Sequence, residues 1–213
     1  MMRRVLSIPK TLYVNLRCFS LKEAIKLRVR VAYDIKIRRL HRDCIVFEDP
    51  KGTVSFGFGE HSFNQGRGGY LNFGPNGQMI VADNAYISKG SKINVNGKLS
   101  LGKRFGCNAN LLISCEKDIT IEDNVTIGWG VTILDSDGHD IMIGDRKTNE
   151  PRSVIIGSHC WICSEATILK GTELAPDTVI GFGATVSGKF LEPNTLVANK
   201  TAQVLRHEIK WKK

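Results

Sequence analysis

An all-β solenoid wound in triangular turns is the fold class this sequence predicts, and three observations predict it. Aliphatic residues recur at intervals of six, a small residue recurs four places after most of them, and the rhythm breaks once, over residues 134–153. A helix buries about every 3.6th residue and a plain strand every second, so neither produces a strict six. Short fixed self-similarity marks a solenoid. One aliphatic per six-residue strand points inward and stacks on its counterpart in the next coil. Three strands close a turn, and stacked turns pair nearly every backbone N–H and C=O.

Residues 1–50 stand outside the repeat and are expected to form a short mixed cap. The opening "MMRRVLSIPKTLYVNL" starts like a signal peptide, but Pro9 and Lys10 cut its apolar run and no small-residue cleavage site follows. No stretch approaches the roughly 18–20 apolar residues of a membrane span. A cytoplasmic protein is the expectation. Leu21, Ala24, Ile25 and Leu27 predict a short helix, and "RVRVAYDIKIRR" (28–39) an edge strand. Together they would cover the first coil, whose open edge otherwise exposes unpaired groups.

The net charge of +9 belongs to the two ends. Residues 1–51 carry 13 Lys/Arg against 5 Asp/Glu, residues 200–213 carry 5 against 1, and the middle carries 12 against 15. The N-terminal excess suits either a solvated surface or attraction to anionic lipid headgroups or substrate phosphates, at the inner face of a membrane in the first case. No nucleic-acid reading motif accompanies it, so nucleic acid is not an expected partner.

The solenoid domain is expected over 51–206, with a basic tail at 207–213. The Gly-rich 55–78 reads as irregular early coils. The period then runs through Val81, Ile87, Ile93 and Leu99, restarts two residues out of phase at Leu101, Cys107, Ile113 and Ile119, and restarts again at Ile121, Ile127 and Ile133. After the break it continues at Ile156, Ile162, Ile168, Leu174, Ile180 and Val186. Cys160, Ala166, Thr172, Thr178 and Ala184 fill the small slot. Cys160 and Cys163 form a CxxC, but the repeat explains both without metal or redox chemistry, and the six cysteines are read as reduced, small apolar residues.

Ile133 and Ile156 are 23 positions apart, so residues 134–153 leave the wall as an excursion. Loops longer than about 12–15 residues inside a compact fold are usually functional. This one holds Asp135, Asp137, His139 and Asp140. A stiff wall offers few converging side chains, whereas a loop can bring a base, orienting acids and substrate contacts together over it.

Three stretches, "IEDNVTIGWGVTILDSDGHDI", "VIIGSHCWICSEATILKGTEL" and "LEPNTLVANKTAQVLR", resemble the hexapeptide-repeat acyltransferases, in particular the sugar O-acetyltransferases, over roughly residues 80–206. The resemblance implies a left-handed parallel β-helix that assembles as a homotrimer. It implies acetyl transfer from acetyl-CoA to a sugar hydroxyl, here of a cell-surface polysaccharide precursor. It puts the catalytic base at His139, since neutral imidazole, with an ordinary pKa of roughly 6.5, can take a hydroxyl proton during attack. An acid on the other ring nitrogen would hold the tautomer; Asp137 and Asp135 both qualify, and Asp137 is favoured. Trp161 is expected beside the acceptor or in a subunit contact. Ser164, Phe182, Gly183 and Ser187 match positions that run along the coenzyme arm, and Arg206, helped by Lys200 or Lys189, would meet its phosphates. Thr201 and Gln203 depart from the family's closing turn.

The rival functions are a zinc enzyme of the gamma carbonic anhydrase kind, a thiol carrier at Cys163, and a structural solenoid without catalysis. A zinc site needs three suitably spaced histidines. Of His41, His61, His139, His159 and His207, only His139 and His159 fall in the regular coils or their loop. No metal is therefore expected.

Overall fold

The computed structural model describes residues 2–59, 68–198 and 203–210. From Val29 onward the chain winds through three sheets in the fixed order A, B, C: sheet A has nine strands, sheets B and C seven each. All pairings within them are parallel except the last, where Gln203–Arg206 turns back against Leu196–Ala198. The aliphatic ladder lies inside the prism. In sheet A, Ile87, Cys107, Ile127, Ile162, Ile180 and Val197 stand in one column. In sheet B the column is Ile93, Ile113, Ile133, Ile168 and Val186. Each of these residues is at most 5% exposed. Full burial of one such side chain contributes about 1.5–3 kcal/mol, so the columns carry the stability of the wall.

The two-residue displacements have a simple cause. Early strands of sheet C, Lys98–Leu101 and Asp118–Ile121, are four residues long and point two side chains inward, Leu99 with Leu101 and Ile119 with Ile121. Later strands of this sheet carry a single ladder residue in the same column, such as Leu174 in Glu173–Leu174. At the corners the backbone turns through left-handed conformations in register. Asn124, His159 and Asp177 (φ 62°, 59°, 61°) mark the C–A corner, and Gly130, Glu165 and Gly183 (φ 70°, 60°, 65°) the A–B corner. The small slot precedes each ladder residue by two and sits under a corner. Thr172 and Thr178 are fully buried there, their hydroxyls donating to Leu169 O and Ala175 O.

The N-terminal region differs from expectation. Val29–Val31, Ile35–Ile37 and Ile45–Phe47 form a complete first coil in sheets A, B and C, so the solenoid starts some twenty residues before position 51. The Gly-rich stretch is regular where described: Thr53–Phe58, Gly69–Phe73 and Gln78–Val81 pair in register with that coil. The period of six is hidden here because the corners vary in length.

Helices α1 (Met2–Leu6), α2 (Ile8–Cys18) and α3 (Leu21–Ala24) precede the coil. Only α3 matches the expected short helix. Helix α2 closes the open edge with polar side chains. Asn15 Nδ2 donates to Val29 O (2.6 Å), Val29 N to Asn15 Oδ1, Val31 N to Thr11 Oγ1, and Tyr33 N to Ser7 Oγ (3.0 Å). Lys10 Nζ donates to Ile35 O (2.6 Å) and Tyr33 O, and Arg3 pairs with Asp34 (2.8 Å). These groups replace the strand that the first coil lacks. Val14 and Cys18 complete the inner face, with Cys18 Sγ 3.4 Å from Cys44 Sγ.

Candidate active site

The excursion replaces the B–C corner of one coil. It leaves after Thr132–Leu134 of sheet B and returns at Val154–Ile156 of sheet C. Its neck is closed by Arg152 N donating to Asp135 O (3.0 Å). Its outer part is a small antiparallel hairpin, Met142–Ile143 with Arg146–Lys147, turning at Gly144 (φ 58°). The hairpin went unforeseen because its strands are two residues long.

Asp135 belongs to the wall. It is fully buried, one step beyond Leu134, above Cys115 in the coil below. Its carboxylate accepts three backbone bonds across that corner: Oδ1 from Glu116 N (2.7 Å), and Oδ2 from Lys117 N and Asp118 N (2.8 Å each). In the preceding coils this slot holds apolar residues, Phe73, Val95 and Cys115. Burial, then the nearby Asp135 carboxylate, pushes the Cys115 thiol well above its ordinary pKa. With both oxygens engaged by the corner, Asp135 is not available to orient His139, contrary to its candidacy in the sequence.

Asp137 is in the loop, and among the described residues its hydrogen bonds go to groups other than the imidazole. It accepts from Lys170 Nζ and from Asn149 Nδ2 (3.2 Å). Lys170 first, then Asn149, holds its carboxyl below the usual aspartate range. His139 itself is exposed, and among the described residues its imidazole makes no hydrogen bond; Gly138 (φ 81°) turns the chain beside it. What positions it is Asn149, which the sequence reading missed. Only 8% exposed, Asn149 donates to His139 O (2.6 Å) and accepts from Ile141 N (2.6 Å). Lys170 Nζ also donates to Asn149 O (3.1 Å), tying this clasp to the next coil. The only sequence signal was a polar residue at a position that breaks the surrounding charge run "DRKTNE".

The other candidates are spread around the prism. Trp161 is outward on sheet A, 40% exposed, in register with Thr126 and Val179. Its column continues through Leu196 to Arg206, three strands away, or about 14 Å at the usual inter-strand spacing. Ser164, Phe182 and Gly183 follow at the A–B corner. Ser164 is buried, Phe182 is 69% exposed, and Gly183 N donates to Ser164 O. The corner is tight: a Cβ on Gly128 would stand 2.5 Å from Ser164 N, so glycine is required there. Ser187 is exposed after sheet B, toward the B–C corner. Lys189 lies on sheet C, paired with Glu173 (2.6 Å), and so cannot assist Arg206 on sheet A. Lys200 falls outside the described residues. One chain therefore carries the loop at one corner, and the Trp161–Arg206 column on the face opposite it.

His159 sits in the left-handed slot of the C–A corner, its Nδ1 2.6 Å from Asp177 Oδ1 in the next coil, and is separated from His139 by the prism. Burial raises the Cys160 thiol to about 12 and raises Cys163 as well, opposite to an activated nucleophile. Among the described residues no group of three or more His, Cys, Asp or Glu is placed to hold a metal ion. No helix among them is long and apolar enough to cross a membrane.

Comparison with known proteins locates this architecture. No family model matches the chain. It is 33% identical over 128 residues to the galactoside O-acetyltransferase of Escherichia coli strain K12, covering 59% of this chain and 62% of that enzyme. It is 25% identical over 193 residues to WbbJ of the same organism, named as a lipopolysaccharide biosynthesis O-acetyl transferase, covering 87% and 92%. In structure it resembles the polySia specific acetyltransferase NeuO, with TM-score 0.60 and 21% identity over 87% of this chain and 72% of that one. By sequence the chain is similar to named O-acetyltransferases, and by fold to an acetyltransferase. Its prism is a left-handed parallel β-helix, the fold it shares with that acetyltransferase. The match spans less than two thirds of the galactoside enzyme's length. Of the hexapeptide-repeat features, the ladder, the small slots and the loop at 134–153 lie where the sequence reading put them.

Proposed function

We propose that this chain is an O-acetyltransferase that moves an acetyl group from acetyl-CoA to a sugar hydroxyl of a cell-surface polysaccharide precursor. The observation that carries this is the excursion at 134–153, which leaves the wall and holds His139 out in solvent on a loop clasped by Asn149 and Lys170. Acetyl-CoA supplies the acyl group as a thioester. His139 takes the acceptor proton as the hydroxyl oxygen bonds the acyl carbon, and returns it to sulfur as the C–S bond breaks. The open A–B corner at Gly183 and the column from Trp161 to Arg206 would accept the coenzyme, with Arg206 on its phosphates.

The division of these groups between opposite sides of one prism favours a homotrimer in which the loop of one copy meets sheet A of the next. Ile141, Met142 and Ile143 are 54%, 52% and 72% exposed on that loop, which supports the same assembly. The basic N-terminal segment would hold the enzyme at an anionic membrane surface, where lipid-linked precursors reside. The deciding experiment is a mass-shift screen of candidate glycans with acetyl-CoA, repeated with His139→Ala. Turnover should fall roughly 10²–10⁴-fold with unchanged melting, because the exposed imidazole holds nothing in place. A variant that keeps full turnover would remove His139 from the reaction.

A further inference from the structure

The cap helix α2 is amphipathic in the inverse sense. Its polar row, Ser7, Thr11 and Asn15 at intervals of four, is turned inward to bond the edge strand. Its apolar rows, Ile8, Leu12 and Leu16 with Tyr13 beside them, are turned outward and remain 52%, 43%, 49% and 51% exposed. Val5 and Leu6 of α1 extend the same surface at 56% and 52%. A helix covering a protein core does the opposite. The face lies at the first-coil end of the solenoid and is uncovered among the described residues. Beside it runs a groove of about 520 Å³ lined by Leu6, Pro9, Tyr13 and Tyr33, with Lys36 at its side.

Charge identifies the occupant. The first 42 residues hold 12 Lys/Arg against 2 Asp/Glu, while the remainder holds 18 against 19, so the whole positive surplus sits at this end. Both acids are already paired, Glu23 with Lys26 and Asp34 with Arg3. Arg4, Lys22, Lys36, Arg38, Arg39 and Arg42 are exposed on the cap and first coil. A second copy docked end to end would oppose two surfaces of the same sign. An anionic bilayer meets both demands, since acyl chains receive the apolar rows and headgroups meet the cations.

We infer that the outward face of α1 and α2 is a membrane-docking plate that inserts shallowly into an anionic bilayer. The β-helix would then stand end-on, with its coils rising away from the lipid. This rests on the membrane association proposed above, and adds insertion to what could be charge attraction alone.

The test is flotation of the full-length protein with vesicles of phosphatidylglycerol mixed with phosphatidylcholine, and with phosphatidylcholine alone. Wild type should bind the anionic vesicles and keep part of that binding in roughly 1 M salt, where the Debye length is about 3 Å. The double substitution Leu12→Ser/Leu16→Ser should lower the partition coefficient about 30-fold, the share expected from burying two half-exposed leucines. Arg38→Gln/Arg39→Gln/Arg42→Gln should lower it mainly at low salt. Leu12→Trp should show a blue-shifted emission only with anionic vesicles; circular dichroism melts confirm that each variant folds. Binding that vanishes in high salt and ignores the leucine substitutions would overturn insertion while leaving surface attraction standing. Absence of wild-type binding to any vesicle would overturn both. Equal binding to neutral vesicles would remove the charge argument. A change in solution mass caused by Leu12→Ser/Leu16→Ser, without an effect on vesicles, would assign the plate to a second copy instead.

Discussion

Asp135 is the residue on which sequence and structure assign different work, and Asp135→Asn separates the two. As an orienting acid beside His139, its amidation would lower turnover and leave stability alone. As a buried corner acceptor, it holds three backbone N–H groups with bonds of 2.7–2.8 Å. An amide keeps one oxygen and turns an NH₂ toward at least one of those donors. A hydrogen bond to a charged group is worth about 1.5–3 kcal/mol, and a stranded buried partner adds its desolvation cost. Losing one such bond and weakening the others predicts a loss of about 2–4 kcal/mol. For a chain of this size, 1 kcal/mol moves the melting temperature by about 2–4 °C, so the transition should fall by roughly 5–15 °C. Thermal melts followed by circular dichroism at neutral pH, at one scan rate, measure it. Asp137→Asn is the control: its carboxylate is 43% exposed with one lysine and one amide partner, and its melt should shift by no more than about 2 °C. If Asp135→Asn melted with the wild type while turnover collapsed, the assignment of Asp135 to the wall would be wrong.

Further predictions concern the loop and its thiol neighbours. Asn149→Ala removes the bonds to His139 O, Asp137 and Ile141 N, so amide exchange at Ile141 should accelerate and turnover should drop more than coenzyme affinity, with little change in global melting. Asp137 titrates below its ordinary value in the folded chain, so the clasp's share of stability is complete above the unfolded value of about 3.9 and is lost as pH falls through the lower folded value. Lys170→Met should move that titration upward toward the ordinary aspartate range, read by carboxyl NMR. Cys163→Ala should leave most activity intact, since burial raises this thiol and direct transfer needs no acyl carrier; abolished activity would restore the carrier scheme.

Much of the wall was legible because its physics is local and repeated. A ladder residue such as Ile162 is apolar in each coil, so six-residue spacing alone placed it inward. The first coil was not legible, since Ile37 and Ile45 are eight positions apart and the period disappears although the inward residues remain. Helix α2 was missed for a different reason. The groups turned to the exposed strand edge are Ser7, Thr11 and Asn15, and only Val14 and Cys18 are apolar on that side, so a search for an apolar inner face finds the outward rows instead. In the site, spacing exposed the excursion, and the resemblance to the acyltransferases singled out His139 within it. Composition could not rank the aspartates, because Asp135 and Asp137 are alike as residues and differ only in which backbone amides or side chains reach them.

The solenoid also constrains how any site on it can be completed. Each coil is locked in register to the next, so its outward residues form fixed columns, and no bending of the wall brings sheet A to the B–C corner. The loop is likewise tied at Arg152, Asn149 and Lys170, which limits how far His139 can travel. If His139 is the base and the Trp161–Arg206 column holds the coenzyme, as proposed, the two would meet by apposition of two prisms. Rotation about an axis parallel to the long axis of the prism would achieve this for every copy at once, with each loop serving the neighbour's sheet A. The end of the prism stays free in that arrangement. All cap helices would then point the same way, presenting their apolar plates side by side to one surface, and weak insertion by one copy becomes firm attachment by several.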